Sequence, residues 1–174
     1  MSVPDVSNKS LAELASLRNR RAVVTGGGRG LGKAIALRLA EAGADVLIGD
    51  IDEGLASAAA AEIGERFGVR TLGVAMDVTD ADSVASAADH AVTDLGSLDI
   101  WVNNAGVFPS VSVFEMSAAT WDQVFAVNAR GVFLGAREAA RHMAAAAAAG
   151  GGGRRKNNPG MGRRGPGGGG GVGW

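Results

Sequence analysis

Thr25-Gly26-Gly27-Gly28-Arg29-Gly30-Leu31-Gly32 lies between two apolar segments of different periodicity. The residues before it, Arg21-Ala22-Val23-Val24-Thr25, form a short run rich in β-branched side chains, which favours a buried strand. Residues 33–40 follow with apolar side chains at helical spacing. The sequence therefore predicts a strand, a glycine-rich turn and a helix in succession.

This turn has the properties that a nucleotide pyrophosphate requires, namely backbone N–H donors, a helix N-terminus and little side-chain bulk. We expect Gly26 to make the tight turn, Gly30 to admit the phosphates and Gly32 to let the helix pack on the sheet. Arg29 and Leu31 occupy the positions between these glycines, in a Gly-x-x-x-Gly-x-Gly spacing. Glycines also accumulate in flexible loops, but the preceding strand and the following helix favour the phosphate-binding interpretation.

An acidic residue follows the second predicted strand. Asp50 stands 24 residues beyond Gly26, near the spacing expected for the carboxylate that accepts hydrogen bonds from the adenosine ribose. Such a carboxylate repels a 2′-phosphate, which favours NAD over NADP. Two alternatives stay open: Asp50 could be a solvated cap of the next helix, a role that Asp52 could also fill, and Arg29 could contact a 2′-phosphate.

Strands and helices continue to alternate along the chain. The patterns predict strands over residues 21–25, 45–49, 70–75 and 98–102, with helices over residues 33–40, 52–67 and 80–95. Asp77 and Thr79 are plausible N-caps of the last of these helices. A further helical pattern begins at Ser117, a candidate N-cap, and continues through Met143. Four strands separated by helices predict an α/β fold with a doubly wound parallel sheet.

Three more motifs accompany the turn and Asp50. They are Asp77-Val78, Asn103-Asn104-Ala105-Gly106 and Asn128, and with them the chain resembles a classical short-chain dehydrogenase/reductase over about residues 20–143. The resemblance implies an incomplete Rossmann-type sheet of about four strands that binds a dinucleotide, NAD or NADP, at the carboxyl ends of its strands. It also implies hydride exchange between the nicotinamide and a small-molecule alcohol or ketone.

The resemblance assigns a role to each of these motifs. Asp77 and Val78 would lie at the adenine edge, and Asn104, Ala105 and Gly106 would line the adenine-ribose side. The hydroxyl of Thr25 would tie the turn to that segment. Asn128 corresponds to the asparagine that holds a water in the family's proton relay, although a polar residue inside a helix could equally bond a neighbouring carbonyl and kink the helix.

The chain departs from the family where the reaction needs its acid–base groups. The family uses a serine, a tyrosine and a lysine four residues after that tyrosine, all beyond the position of Asn128. The chain contains no tyrosine, and after Asn128 it has no serine and only one lysine, Lys156. We therefore expect a chain that descends from NAD(P)-dependent dehydrogenases, retains their cofactor-binding residues and has lost catalysis. The alternative is a module whose function is NAD binding or subunit interaction and not turnover, with a homo-oligomer formed through the helix between Val132 and Met143.

The composition predicts three segments: a leader over residues 1–20, a partial Rossmann domain over residues 21–146 and a disordered low-complexity Gly/Arg tail over residues 147–174. The last 25 residues include 13 glycines, and the abrupt change after Met143 indicates a truncation or a shifted reading frame. The absence of cysteines and of an 18-residue apolar run favours a cytoplasmic protein without a metal or membrane partner.

The tail carries the basic residues that could contact nucleic acid. Five of them, with no acidic residue, lie beyond residue 149, whereas the rest of the chain is net acidic; they are Arg154, Arg155, Lys156, Arg163 and Arg164. Aromatic residues are not interleaved with them, since Trp174 stands alone at the end. Nucleic acid is therefore not the expected partner.

Overall fold

The computed structural model describes residues 5–151 as an α/β fold with one parallel sheet. The strands, in the spatial order β3-β2-β1-β4, are β1 (Arg21–Thr25), β2 (Asp45–Asp50), β3 (Thr71–Ala75) and β4 (Ile100–Val102). The helices are α1 (Leu11–Leu14), α2 (Gly30–Glu41), α3 (Glu53–Phe67), α4 (Ala81–Leu95), α5 (Ala118–Phe125) and α6 (Gly131–Gly151), and a π-helical turn, Ala126–Arg130, joins α5 to α6. The predicted doubly wound parallel sheet is confirmed.

Helices cover both faces of the sheet because the strands alternate their side chains between two apolar clusters. Val24 and Ile48 point to the side where alanines of α2 and α3 pack. Val23 and Leu47 point to the opposite side, against α4 and α6. All four side chains are fully buried, and β4, which pairs only with β1 in this part of the chain, forms one edge of the sheet.

Two arginines fasten the amino ends of the strands to the end of α4. The guanidinium of Arg70 donates to the Leu95 carbonyl at 2.6 Å and to the Asp45 carboxylate at 2.7 Å. Arg21 donates to the same Leu95 carbonyl at 3.1 Å. Cations are favourable at a helix C-terminus, where carbonyl groups lack partners within the helix. These contacts stabilise the amino ends of the strands, at the end of the sheet opposite the glycine-rich turn.

Several element boundaries differ from the predicted ones. Strand β4 begins at Ile100 because Leu98 turns into the cluster against α4. Asp80 is the N-cap of α4 and accepts from the Asp82 amide, so Asp77 and Thr79 were the wrong choice. Ser117 caps α5 as predicted.

The predicted end segments are only partly described. Leu17, in the predicted leader, donates its amide to the Ala42 carbonyl at 2.8 Å and packs on the core. Helix α6 runs through residues 147–151, into the segment predicted to be tail, and residues 147–149 are alanines, which have the highest helix propensity. The rest of the tail, including its basic residues, lies outside the described residues. Within residues 5–151, no helix has the length and apolar character needed to cross a membrane.

Candidate functional site

A cleft of about 460 Å³ opens at the carboxyl ends of the strands. The glycine-rich turn after β1 and the segments that follow β2, β3 and β4 form its walls, and Gln123 of α5 and Val127 of the π-helical turn also line it. In doubly wound sheets, ligands bind in a crevice of this kind, where crossovers leave on opposite faces. Most of the predicted site residues line it: Gly26, Arg29, Leu31, Gly32, Asp50, Asp77, Val78, Asn104, Ala105 and Gly106.

The glycines of the turn differ in why a side chain is excluded. Gly26 has φ +62°, and a Cβ there would lie 2.9 Å from the Cα of Ala105. A Cβ on Gly32 would overlap the carbonyl oxygen of Gly26 and lie 2.5 Å from Asn104 Nδ2. Gly30 has φ +56° and no heavy atom within 4 Å of its Cβ position. The turn is therefore packed tightly against the protein at Gly26 and Gly32 and open at Gly30.

The hydroxyl of Thr25 joins the turn to the segment after β4. It accepts from the amides of Asn104 and Ala105, each at 3.0 Å. The Asn104 side chain returns the contact, since its Nδ2 donates to the carbonyls of Thr25 and Gly26 at 2.9 and 3.1 Å. Thr25 itself is buried and does not line the cleft. Thr25 and Asn104 thus hold the floor of the cleft in one arrangement.

The carboxylate of Asp50 faces the turn. Its Oδ2 accepts from the Gly28 amide at 2.9 Å, and its Oδ1 accepts from the Asp52 amide at 3.2 Å. Each carboxylate oxygen has two lone pairs, so both oxygens can accept a further hydrogen bond from a ligand. The N-cap of α3 is Asp52, which accepts from the Leu55 amide at 3.1 Å. Asp50 is therefore not the helix cap.

Asp77 and Val78 follow β3 on the same side of the cleft as Asp50. The Asp77 carboxylate accepts from both the amide and the hydroxyl of Thr79, at 2.8 and 2.7 Å. The Ser83 hydroxyl accepts the Asp77 amide at 3.0 Å. These bonds fix the backbone after β3, so that Asp77 and Val78 present a defined edge to the cleft.

Asn128 lies in the π-helical turn between α5 and α6 and does not line the cleft. Its Oδ1 accepts from the Val107 amide and its Nδ2 donates to the Val107 carbonyl, both at 2.9 Å. One of the two interpretations of Asn128 was a bond from its side chain to a neighbouring carbonyl of the helix. The side chain does bond a backbone carbonyl, but that carbonyl belongs to Val107, 21 residues away. The relay role of Asn128 stays a prediction.

Several residues of the cleft were missed from the sequence. Ile51, Met76 and Val107 are direct neighbours of predicted site residues and Phe108 is the next residue after Val107, so their place after the strands would have indicated them. Gln123 and Val127 also line the cleft and are four residues apart, on one face of a helix. The four-residue spacing places both side chains on one face, but only the fold shows that this face meets the cleft.

The residues present fit a dinucleotide. Gly30 leaves space at the N-terminus of α2, where amide groups and the helix dipole favour phosphate, and the carboxylate of Asp50 stands beside that turn.

The model of the short chain dehydrogenase family matches residues 20–154. The chain belongs to this family. Cis-4-hydroxycyclohexanecarboxylate dehydrogenase of Sinomonas cyclohexanicum is 45% identical over 126 residues, which are 72% of this chain and 50% of that protein. The crystal structure of a short-chain type dehydrogenase/reductase from Mycobacterium marinum is 35% identical, with a TM-score of 0.75 over 79% of this chain and 54% of that one.

A dehydrogenase/reductase from Sinorhizobium meliloti is similar as well. It is 41% identical, with a TM-score of 0.72, and the match covers 75% of this chain and 52% of that one. The chain therefore spans about half the length of the relatives that it matches. Family membership makes this protein a relative of NAD(P)-dependent oxidoreductases.

Proposed function

We propose that the cleft binds NAD, with the pyrophosphate at the glycine-rich turn and the adenosine ribose on Asp50. The observation that carries the proposal is that the cleft lies at the N-terminus of α2, where Gly26 and Gly32 line it beside the Asp50 carboxylate. Gly30 does not itself line the cleft, but nothing within 4 Å of its Cβ position obstructs the approach of a phosphate to this turn. Asp77 and Val78 would border the adenine, and Asn104, Ala105 and Gly106 would line the ribose side. Leu31 and Arg29 would flank the phosphates.

Asp50 supports NAD over NADP. Its oxygens already hold the Gly28 and Asp52 amides, so the carboxylate is fixed where two ribose hydroxyls could donate to it. A 2′-phosphate at that place would meet a negative charge at close range. Arg29 is the group that would favour NADP, since it lines the same cleft and is exposed.

The whole-length relatives belong to a family whose nicotinamide exchanges a hydride with an alcohol or ketone carbon. We propose that the 174 residues of this chain bind the dinucleotide without completing that reaction. No tyrosine is available to pass the proton, and Lys156 is the one lysine after Asn128. Asn128 then acts as a positioning residue, because its side chain fixes Val107 at the cleft.

A second candidate function is a subunit-interaction module without turnover. Several large apolar side chains along α5 and the start of α6 are between 40% and 60% exposed: Trp121, Phe125, Val132 and Phe133. Trp121 and Phe125 stack with their ring centroids 4.5 Å apart. An exposed apolar strip of this kind favours contact with another polypeptide, and a second copy of this chain is the partner that we propose.

Isothermal titration calorimetry of the purified chain with NAD tests the cofactor proposal. Gly30→Trp should abolish the binding heat, because the indole would fill the phosphate space. Gly68→Trp is the matched control: Gly68 has φ +65° and nothing within 4 Å of its Cβ position, but it caps α3 away from the cleft. Unchanged NAD affinity in Gly30→Trp would refute the proposed site.

Turnover is measured separately. When the chain is mixed with NAD and an alcohol, the absorbance of reduced NADH should increase no faster than it does with the Gly30→Trp variant. A rate well above that background would refute the non-catalytic part of the proposal while leaving the binding part intact.

A further inference from the structure

Gln123 of α5 lines the cleft, and the turn that follows it packs beside the end of β3. Val127, four residues later, packs against the apolar cluster that contains Met76 and Val78. A Cβ on Gly131 would lie 3.0 Å from the Val78 side chain. Residues four apart are neighbours on one helix face. Gln123 therefore stands one turn before Val127, next to the place proposed for the adenine.

The Gln123 carboxamide offers both kinds of hydrogen-bonding group to a ligand. The ionised carboxylates of Asp50 and Asp77 only accept, and the Arg29 guanidinium only donates. Asn104 carries a carboxamide too, but its Nδ2 already donates to two backbone carbonyls. Of the described side chains that line the cleft, Gln123 is thus the one that can donate and accept at the same time.

One edge of adenine needs this combination. At its N7 side the ring presents an acceptor, N7, beside a donor, the N6 amino group, and a glutamine carboxamide pairs with both. The amino group has two hydrogens, so the second one stays available to the Asp77 carboxylate, which also lines the cleft. Hypoxanthine presents two acceptors at the same edge, N7 and O6, and one of them would face the carboxamide oxygen.

We infer that Gln123 is a specificity-determining residue that selects adenine over other purines by pairing with N6 and N7. This inference rests on the proposed dinucleotide site and assigns part of its base specificity to a side chain of α5. The Gln123 side chain is exposed and must be ordered on binding, which offsets part of the gain from two hydrogen bonds. We therefore expect it to contribute about tenfold to the preference for adenine.

Calorimetric titrations of the full chain with NAD and with nicotinamide hypoxanthine dinucleotide test the inference. Gln123→Ala should weaken NAD binding about tenfold and leave the hypoxanthine dinucleotide within about twofold, so that the ratio of the two affinities falls about tenfold. Asp122→Ala is the matched control, because Asp122 is the adjacent exposed residue and does not line the cleft. It should leave that ratio unchanged.

A third ligand tests the pairing with N7 directly. In 7-deaza-NAD a carbon replaces the N7 acceptor of adenine. This dinucleotide should bind the unmodified chain about fivefold more weakly than NAD, because the carboxamide loses one partner. The Gln123→Ala variant should bind the two dinucleotides equally.

The outcomes separate this inference from the proposal beneath it. If Gln123→Ala weakens NAD and the hypoxanthine dinucleotide equally, the side chain contacts a part that both share and the inference is wrong, although the dinucleotide site stands. Unchanged NAD affinity in Gln123→Ala, or equal binding of NAD and 7-deaza-NAD to the unmodified chain, overturns the inference in the same way. If the unmodified chain binds none of the dinucleotides, the proposed function fails and the inference fails with it.

Discussion

Replacing Gly32 with alanine tests how closely α2 approaches the strand turn. Gly32 is the third residue of α2, and the added methyl would overlap the Gly26 carbonyl oxygen and lie 2.5 Å from Asn104 Nδ2. Ordinary contacts of a Cβ begin at 3.4 Å, so the helix and the turn must separate by about an ångström. Because the Gly26 carbonyl oxygen is the atom that the methyl overlaps, the turn must shift as well as the helix, and this shift weakens the 3.1 Å bond that Asn104 Nδ2 donates to that carbonyl.

The size of the effect follows from three contributions. Overpacking destabilises a protein by about 1–3 kcal/mol, and a lost hydrogen bond by about 1 kcal/mol. Alanine gains up to about 1 kcal/mol over glycine in a helix. We therefore expect Gly32→Ala to lower the free energy of unfolding by roughly 2 kcal/mol in urea titrations followed by far-UV circular dichroism.

Gly54→Ala is the matched control for this substitution. Gly54 is the second residue of α3, and a Cβ there would meet only the Asp52 carboxylate, at 3.2 Å. The same chemical change should therefore leave the unfolding free energy within about 0.5 kcal/mol of the original or raise it slightly. Equal unfolding midpoints for Gly32→Ala and the unmodified chain would refute the close approach of α2 to the turn.

Three further substitutions test other parts of the fold and the site. Asn128→Ala removes both bonds to Val107 and should lower the unfolding free energy by about 2–3 kcal/mol in the same urea titration, whereas a loss below about 0.5 kcal/mol would mean that these bonds contribute nothing. Asp50→Asn should weaken NAD binding about tenfold in calorimetry and reduce its preference over NADP, while Asp52→Asn, which keeps a good N-cap, should change neither. Burial of Asp99 opposes its ionisation, but hydrogen bonds from the Ser97 hydroxyl, the Arg21 amide and the Arg20 guanidinium outweigh it and hold its pKa below the ordinary value. Because the unfolded chain then binds the proton more readily than the folded chain, the free energy of unfolding should decrease as the pH drops below about 4. Asp99→Asn should show a smaller decrease over the same pH range, and an equal dependence of the unfolding free energy on pH in both chains would contradict this.

The sequence predicted the parts of the fold that depend on local patterns. Strand β1 ends at Thr25, as expected from a β-branched run that meets glycines, and Gly26 has the left-handed backbone that such a turn needs. The parallel direction of the strands follows from the helices that separate them, whereas the placement of β4 beside β1 was not predicted. The predicted features need no information beyond a few neighbouring residues and the handedness of crossovers.

The features that could not be predicted from the sequence depend on which of several possible partners a polar side chain bonds, whether that partner is distant along the chain or close by. The π-helical turn at Asn128 accompanies its two bonds to Val107, and a local helical pattern contains no sign of that partner. Asp77 was a reasonable helix cap by position, but its carboxylate accepts from the Thr79 amide instead, and Asp80 is the N-cap of α4. Both cases require knowing which of several nearby acceptors a donor will choose.

The sequence predicted most of the residues of the site, but it did not distinguish those that line the cleft from those that support it from beneath. Thr25 is buried and only supports the cleft, through its bonds with Asn104, whereas Asn104 both makes those bonds and lines the cleft. A sequence motif does not separate the residues that support a site from those that touch a ligand, because both kinds occur at the same strand ends.

The arginine contacts at the amino ends of the strands have a practical consequence for altering this protein. Arg21 and Arg70 secure the end of α4 at the pole of the sheet that faces away from the cleft. Engineering at that pole can therefore raise or lower resistance to denaturation without changing what the molecule recognises. A library confined to that end of the sheet can therefore be selected for stability alone, whereas substitutions at the cleft end, such as Gly32→Ala, alter stability as well.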